Sequence, residues 1–316
     1  MFTKYWRTYP AKIQVFLFIV MLFVIGIFGY LLAFNIGRLI TGVTTYNEIN
    51  SNTGTRSIQA ARIIELIGNL LTFCGTALIF AYLTHPKPLT YLGFRKPSKI
   101  SNIIISMILM VTLIPLAQQL LYYLKMIDLG STVKMTQTKT EEAYKAILNM
   151  HSVSELIMCL LMTSVVAPIG EELLFRGIIM RFGYKATHRI LASALISGIF
   201  FAFFHAQIYA FLPIMLSGMV LSYIYYYNGT IWANIISHCT YNTIQVMIVY
   251  LTLNKLAPGM SNLNDIDHYP IYVVIIAAFF FILCFYLLWK NRTPLPNNWA
   301  NDFTLEELAA EKQVNS

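Results

Sequence analysis

The sequence predicts an all-α protein, a polytopic membrane helix bundle of about eight transmembrane helices. Three observations predict it. Hydrophobic residues make up 57% of the 316 residues and charged residues only 11%, against about 45–50% and about 25% in an ordinary soluble domain. The apolar residues gather into runs of about 20, the length a helix needs to cross the hydrocarbon core. Lys and Arg, which give a net charge of +8, cluster in the stretches between runs, as membrane topology signals do. A chain this apolar must satisfy its backbone inside lipid, and helices do so within each segment. The same composition excludes a cytosolic enzyme, a disordered regulator and a secreted disulfide scaffold. It also reads the basic residues as topology signals, with no nucleic-acid partner.

The first run, residues 13–34, follows Lys4, Arg7 and Lys12. Its apolar core exceeds that of a signal peptide and no A-x-A site follows, so it is expected to be a retained anchor. The polar stretch 40–57 separates it from the second run, 62–83. Glu65 and Arg62 lie near the start of that run and are expected to form an interfacial pair. The loop 85–99, with Lys87, Arg95, Lys96 and Lys99, leads to the third run, 101–124. The connection 125–152 is the longest, charged, with room for a short amphipathic helix near 140–150. The fourth run, 155–180, is followed by Arg181, Lys185 and Arg189. Runs five and six, 190–207 and 209–227, are poorly separated. Asn228-Gly229 makes a tight turn into the seventh run, 230–252. The eighth, 270–289, ends at Lys290 and Arg292. Residues 1–290 thus read as one membrane-embedded domain, and 291–316 as a polar, acidic, solvated tail. Cys74, Cys159, Cys239 and Cys284 all fall inside apolar runs with no CxxC pair, so they read as small buried hydrophobes.

Eight spans place the four basic flanks on one side. That side should be cytoplasmic, with both termini inside the cell membrane. Lys125, Lys134, Lys139 and Lys145 of the third loop are a counterweight.

Ionisable groups at membrane depth cost at least about 2.5–3.5 kcal/mol each on insertion scales, so each is a candidate functional residue. The fourth run reads APIGEELLFRG. Pro168 removes a helical hydrogen bond just ahead of Glu171 and Glu172. Glu172 and Arg176 stand at i and i+4 and can pair. Glu171 is left without a local partner, as suits a general base. Run five ends FFAFFHAQ, with Phe201 and His205 one turn apart. Run seven reads NIISHCTYN, with His238 and Asn242 at i and i+4 and Asn234 one turn back on the same face. His and Asn donors can hold a developing oxyanion; they also serve as interhelical hydrogen-bond partners.

These motifs, in this order on three helices, resemble the CPBP family (CAAX proteases and bacteriocin-processing enzymes, the Abi family). The matches are Glu171-Glu172-x-x-x-Arg176, Phe201-x-x-x-His205 and His238-x-x-x-Asn242, within a core of about residues 155–250. The resemblance implies an eight-helix intramembrane endopeptidase with its active site inside the bundle, acting on a membrane-associated peptide or protein. It implies Glu171 as the base, His205 assisting water activation, and His238 and Asn242 lining the oxyanion site. Glu172 and Arg176 would organise the site, with Phe201 packed beside it.

No cofactor is required by the sequence. Glu171, His205 and His238 are of the types that would hold a divalent metal such as zinc. No HExxH is present, and a metal-free glutamate mechanism is preferred. Two other functions compete: a non-catalytic self-immunity or scaffolding protein, and a transporter with a buried acid–His relay. Intact motifs favour the enzyme, and the spans lack the paired broken segments of inverted repeats. One tension remains in the depths. Helix rise puts Glu171 and His238 roughly 13–16 Å from the basic end but His205 roughly 22 Å from it.

Overall fold

The computed structural model describes residues 5–43, 54–96, 99–256 and 268–303. Among them there is no strand, and the architecture is all-α. The long helices are α1 Ala11–Thr41, α2 Thr55–Thr84, α3 Ile100–Lys125, α4 Ser131–Ile147, α5 Val153–Thr187, α6 Ile190–Phe204, α7 Phe211–Asn228, α8 Ile231–Leu253 and α9 Ile271–Lys290. Every apolar run of the sequence therefore lies on a helix. Five of the described helices, α1, α2, α3, α5 and α9, are long and apolar enough to cross a membrane. Of the remaining three apolar helices, α6 has only 15 residues, and α7 and α8 carry the Tyr, Asn and His side chains that face the interior.

The surface is inverted relative to a water-soluble protein. Phe23, Phe28 and Ile27 of α1 and Tyr272, Phe279 and Ile282 of α9 are exposed by more than half. Belts of exposed large apolar side chains on both outer helices need lipid against them. Inside, α3 packs on α8 and α9, α1 on α2, and α6 on α7.

The α6–α7 contact positions the site. Gly198 and Gly218 meet there, and a Cβ on Gly198 would lie 2.6 Å from the Met215 carbonyl oxygen. Small residues let helix backbones approach this closely in membranes. Gly198→Ala should therefore force α6 from α7 at a cost of about 1–3 kcal/mol. A lower melting temperature in detergent is the expected outcome; an unchanged melt would contradict the close approach.

Two helices contain wide π-type turns. In α2 they span Leu70–Gly75, and in α5 they span Leu160–Val166 and Glu172–Ile179. Such turns recur at functional sites.

The four basic flanks do gather at one end of the bundle. Arg181 donates to the carbonyls of Tyr91 and Trp299, and Asp302 receives Lys185 and Gln14. Thr230 donates to the Arg95 carbonyl, and Asn102 to that of Asn291. At the opposite end Arg62, 1% exposed, pairs with Glu155 at 3.1 Å and donates to the carbonyls of Ile147 and Asn149.

Three expectations are corrected. Arg62 does not pair with Glu65; Glu65 instead faces Tyr30 and Asn69, because Arg62 points toward the start of α5. The amphipathic helix α4 runs Ser131–Ile147, earlier and longer than 140–150. The described part of the segment after α9, residues 291–303, is not wholly solvated. Leu295, Trp299 and Ala300 are buried, and Arg181 stacks on the Trp299 ring at 5.3 Å. The acidic residues 304–316, most of the polar loop 40–57, and Lys4 of the N-terminal flank lie outside the described residues.

Candidate active site

The site is built by α5, α6, α7 and α8 around one fully buried carboxylate. Glu172 has no solvent exposure and accepts from three side chains. Arg176 Nη1 donates to Oε1 at 2.9 Å, as the i, i+4 spacing predicts. His238 Nδ1 meets the same oxygen at 2.9 Å, and Asn234 Nδ2 donates to Oε2 at 3.0 Å. Arg176 also donates to the Gly218 carbonyl at 2.8 Å, and Asn234 to that of Leu221 at 2.6 Å. The close Gly198–Gly218 contact thus presents the carbonyl that accepts from Arg176 Nη2. An unpaired buried ion would cost several kcal/mol, and this network supplies the partners that prevent it.

His238 connects the two adjacent glutamates. Its Nδ1 is turned to the Glu172 carboxylate, so Nε2 lies on the other side of the ring. There Glu171 Oε2 lies 3.7 Å away. That gap is too long for a direct hydrogen bond. Two acceptors at that separation match the two O–H bonds of a single water held beside them. Glu171 keeps some exposure, its side chain being 12% accessible, whereas Glu172 has none. The two neighbours thus have separate environments, and of the two only Glu171 is accessible at all.

Phe201 packs between the two histidines. Its ring centroid is 4.6 Å from that of His205 and 5.8 Å from that of His238, and Arg176 lies 4.8 Å over its face. His205 follows the last turn of α6, its Nδ1–H donating to the Phe201 carbonyl at 2.7 Å. It sits one turn past Phe201, whose ring contacts both histidines. The next residue, Ala206, has φ 51°. A left-handed non-glycine residue costs about 1–2 kcal/mol, and here it turns the chain sharply after His205.

Asn242 binds where Pro168 leaves a gap. In the π turn ahead of Pro168, the Ala167 N–H reaches back five residues to the Met162 carbonyl. The next such bond would run from residue 168 to Thr163, but proline has no N–H. Asn242 Nδ2 fills the vacancy, donating to the Thr163 carbonyl at 2.7 Å. One amide proton remains for another acceptor.

His205, His238 and Asn242 line one cavity of about 450 Å³ between α3, α7 and α8. The structure thus brings Glu171, Glu172, Arg176, Phe201 and His238 together, with His205 and Asn242 on the wall of the adjoining cavity. It exchanges the histidines' expected neighbours, since His238 and not His205 faces Glu171. Asn234 was visible as the third residue of the His238 face, but its bond to Glu172 was not. Among the described residues no group of three His, Cys, Asp or Glu side chains converges as a metal-ligand set. Glu171, His205 and His238 are not grouped as one.

Comparison with known proteins bears on the segment that carries these residues. Residues 153–244 match the family described as Rce1-like, type II CAAX prenyl endopeptidase. A Bacillus subtilis (strain 168) protein described as "Putative membrane peptidase YdiL" is 30% identical over 110 residues, which cover 35% of this chain and 44% of that protein. No solved structure matches the chain. Both matches accord with the CPBP-type resemblance carried by EExxxR, FxxxH and HxxxN.

Proposed function

We propose that this chain, whose residues 153–244 carry the Rce1-like segment of CPBP-type proteases, is an intramembrane endopeptidase. A single observation carries the reading: Glu171 Oε2 stands 3.7 Å from Nε2 of His238, and His238 lines a cavity large enough for a peptide segment. A water held by both acceptors directs its lone pair away from them, toward a carbonyl in the cavity. Glu171 takes the proton as attack proceeds, and later returns it to the leaving amine. His238 orients the water, and Glu172 fixes the His238 tautomer through Nδ1. Asn242 donates its second amide proton to the oxyanion, with His205 beside it. Arg176 and Asn234 hold Glu172 in place. No step is routed through a metal.

The substrate is a membrane-associated peptide or protein of CAAX, bacteriocin or pheromone type. The membrane peptidome of cells carrying wild type should differ from that of cells carrying Glu171→Ala. Loss of specific fragments in the variant is expected; identical peptidomes would favour a non-catalytic immunity or scaffolding role.

The protein is proposed to sit in the cell membrane with eight spans and its basic end in the cytoplasm. Reporter fusions after 85–99, 182–189 and 295 should read inside, and those after 40–57 and 125–152 outside. An outside signal at 295 would contradict the eight-span count.

A further inference from the structure

The cavity does not end at the histidines. It extends along α3 from Met110 past Gln118 to Leu121, with Gln245 and Val249 of α8 opposite and Tyr269 beyond them. A second cavity of about 200 Å³ shares Gln118 and Leu121 and continues to Lys125 and Met126. From Met110 to Met126 α3 rises about 24 Å. Together the lining residues of the two cavities reach from His238 to the last turn of α3, the end of the bundle away from the basic flanks. Its rim is built there: Tyr209 donates to the Ile127 carbonyl at 3.1 Å, the Tyr269 N–H to Gln119 at 3.3 Å, and Lys125 pairs with Glu141 of α4 at 2.9 Å.

The lining has a consistent chemistry. Among the described residues the larger cavity is lined by no Asp, Glu, Lys or Arg, and Lys125 stands only at the second; its polar groups are amides and hydroxyls, with His205 and His238 at the inner end. Gln118, Gln245 and Asn242 can each donate and accept, as a peptide backbone does. A charged side chain lodged here would lose its hydration with no partner.

We propose that an uncharged, extended peptide segment enters along α3 from the end opposite the basic flanks, with Gln245 pairing its backbone and the uncharged lining excluding charged side chains next to the cleaved bond. The substrate class rests on the peptidase reading; the direction of entry does not.

The test uses the full chain with Cys74, Cys159, Cys239 and Cys284 replaced by Ala or Ser, in sealed vesicles of known orientation. Gln245→Cys and Leu121→Cys probe the path, and Lys290→Cys, exposed at the basic end, is the reference. A charged, membrane-impermeant maleimide should label the path cysteines at least tenfold faster from the face at which Lys290→Cys is silent. Faster labelling from the Lys290 face overturns the direction. Labelling by membrane-soluble N-ethylmaleimide alone also overturns it, since entry would then be from lipid. An uncharged Leu/Ser/Thr octapeptide should slow Gln245→Cys labelling at least fivefold, and the same peptide with two Lys should not. Equal protection by both, or by neither, overturns the substrate class. Labelling needs no turnover, so an inactive preparation that labels as expected would fault the peptidase reading and leave the entry path standing.

Discussion

Glu171→Gln should abolish peptide cleavage, lowering the rate by roughly 10²–10⁴-fold, while the melting temperature in detergent stays near wild type. The reason is geometric. Gln keeps the volume of Glu171, and Glu171 has no part in the Glu172–Arg176–Asn234 network. The amide cannot accept a proton from water at the position facing His238 Nε2. A variant that melts like wild type and retains full activity on a peptide drawn from the membrane peptidome would remove Glu171 as the base.

Arg176→Ala should do the reverse in order of cause. It strips the buried Glu172 carboxylate of its cation and frees the Gly218 carbonyl. Removing one partner of a buried pair costs about 3–5 kcal/mol, so the protein should melt well below wild type, and activity should fall because His238 loses its anchor. Equal melts with complete loss of activity would move Arg176 from holding Glu172 to binding substrate. That outcome would suit a peptide carboxylate, which pairs well with a guanidinium fork. Parallel melts of Glu171→Gln and Arg176→Ala separate proton acceptor from organiser.

The contrast between these two residues was legible in the sequence because helical spacing is local. The i, i+4 rule pairs Glu172 with Arg176 and leaves Glu171 over, and it puts Asn234, His238 and Asn242 on one face. The apolar runs likewise fixed the helices, since period and length are properties of single segments. What was lost is what depends on distant packing. Arg62 finds Glu155, 93 positions away in the chain, and not the nearby Glu65. Which histidine faces Glu171 depends on where Phe201 places α6 against α8, and spacing says nothing of that. Trp299 in a polar stretch was a signal that could have been read: a large aromatic side chain there calls for a partner, and Arg181 and Tyr225 provide it. Pro168 was a second such signal. A proline inside an apolar helix leaves a carbonyl without a donor, and the donor turned out to be Asn242.

The central claim is that Glu171 and His238 act on one water as a unit, and a double-mutant cycle tests it most directly. Initial rates on one peptide are compared for wild type, Glu171→Gln, His238→Ala and the double variant, each confirmed as folded by its melt. Residues that act as a unit are strongly non-additive. The double variant should be within about threefold of the slower single variant, because either change already removes the held water. Losses that multiply would show two independent contributions and contradict a shared water between Glu171 Oε2 and His238 Nε2.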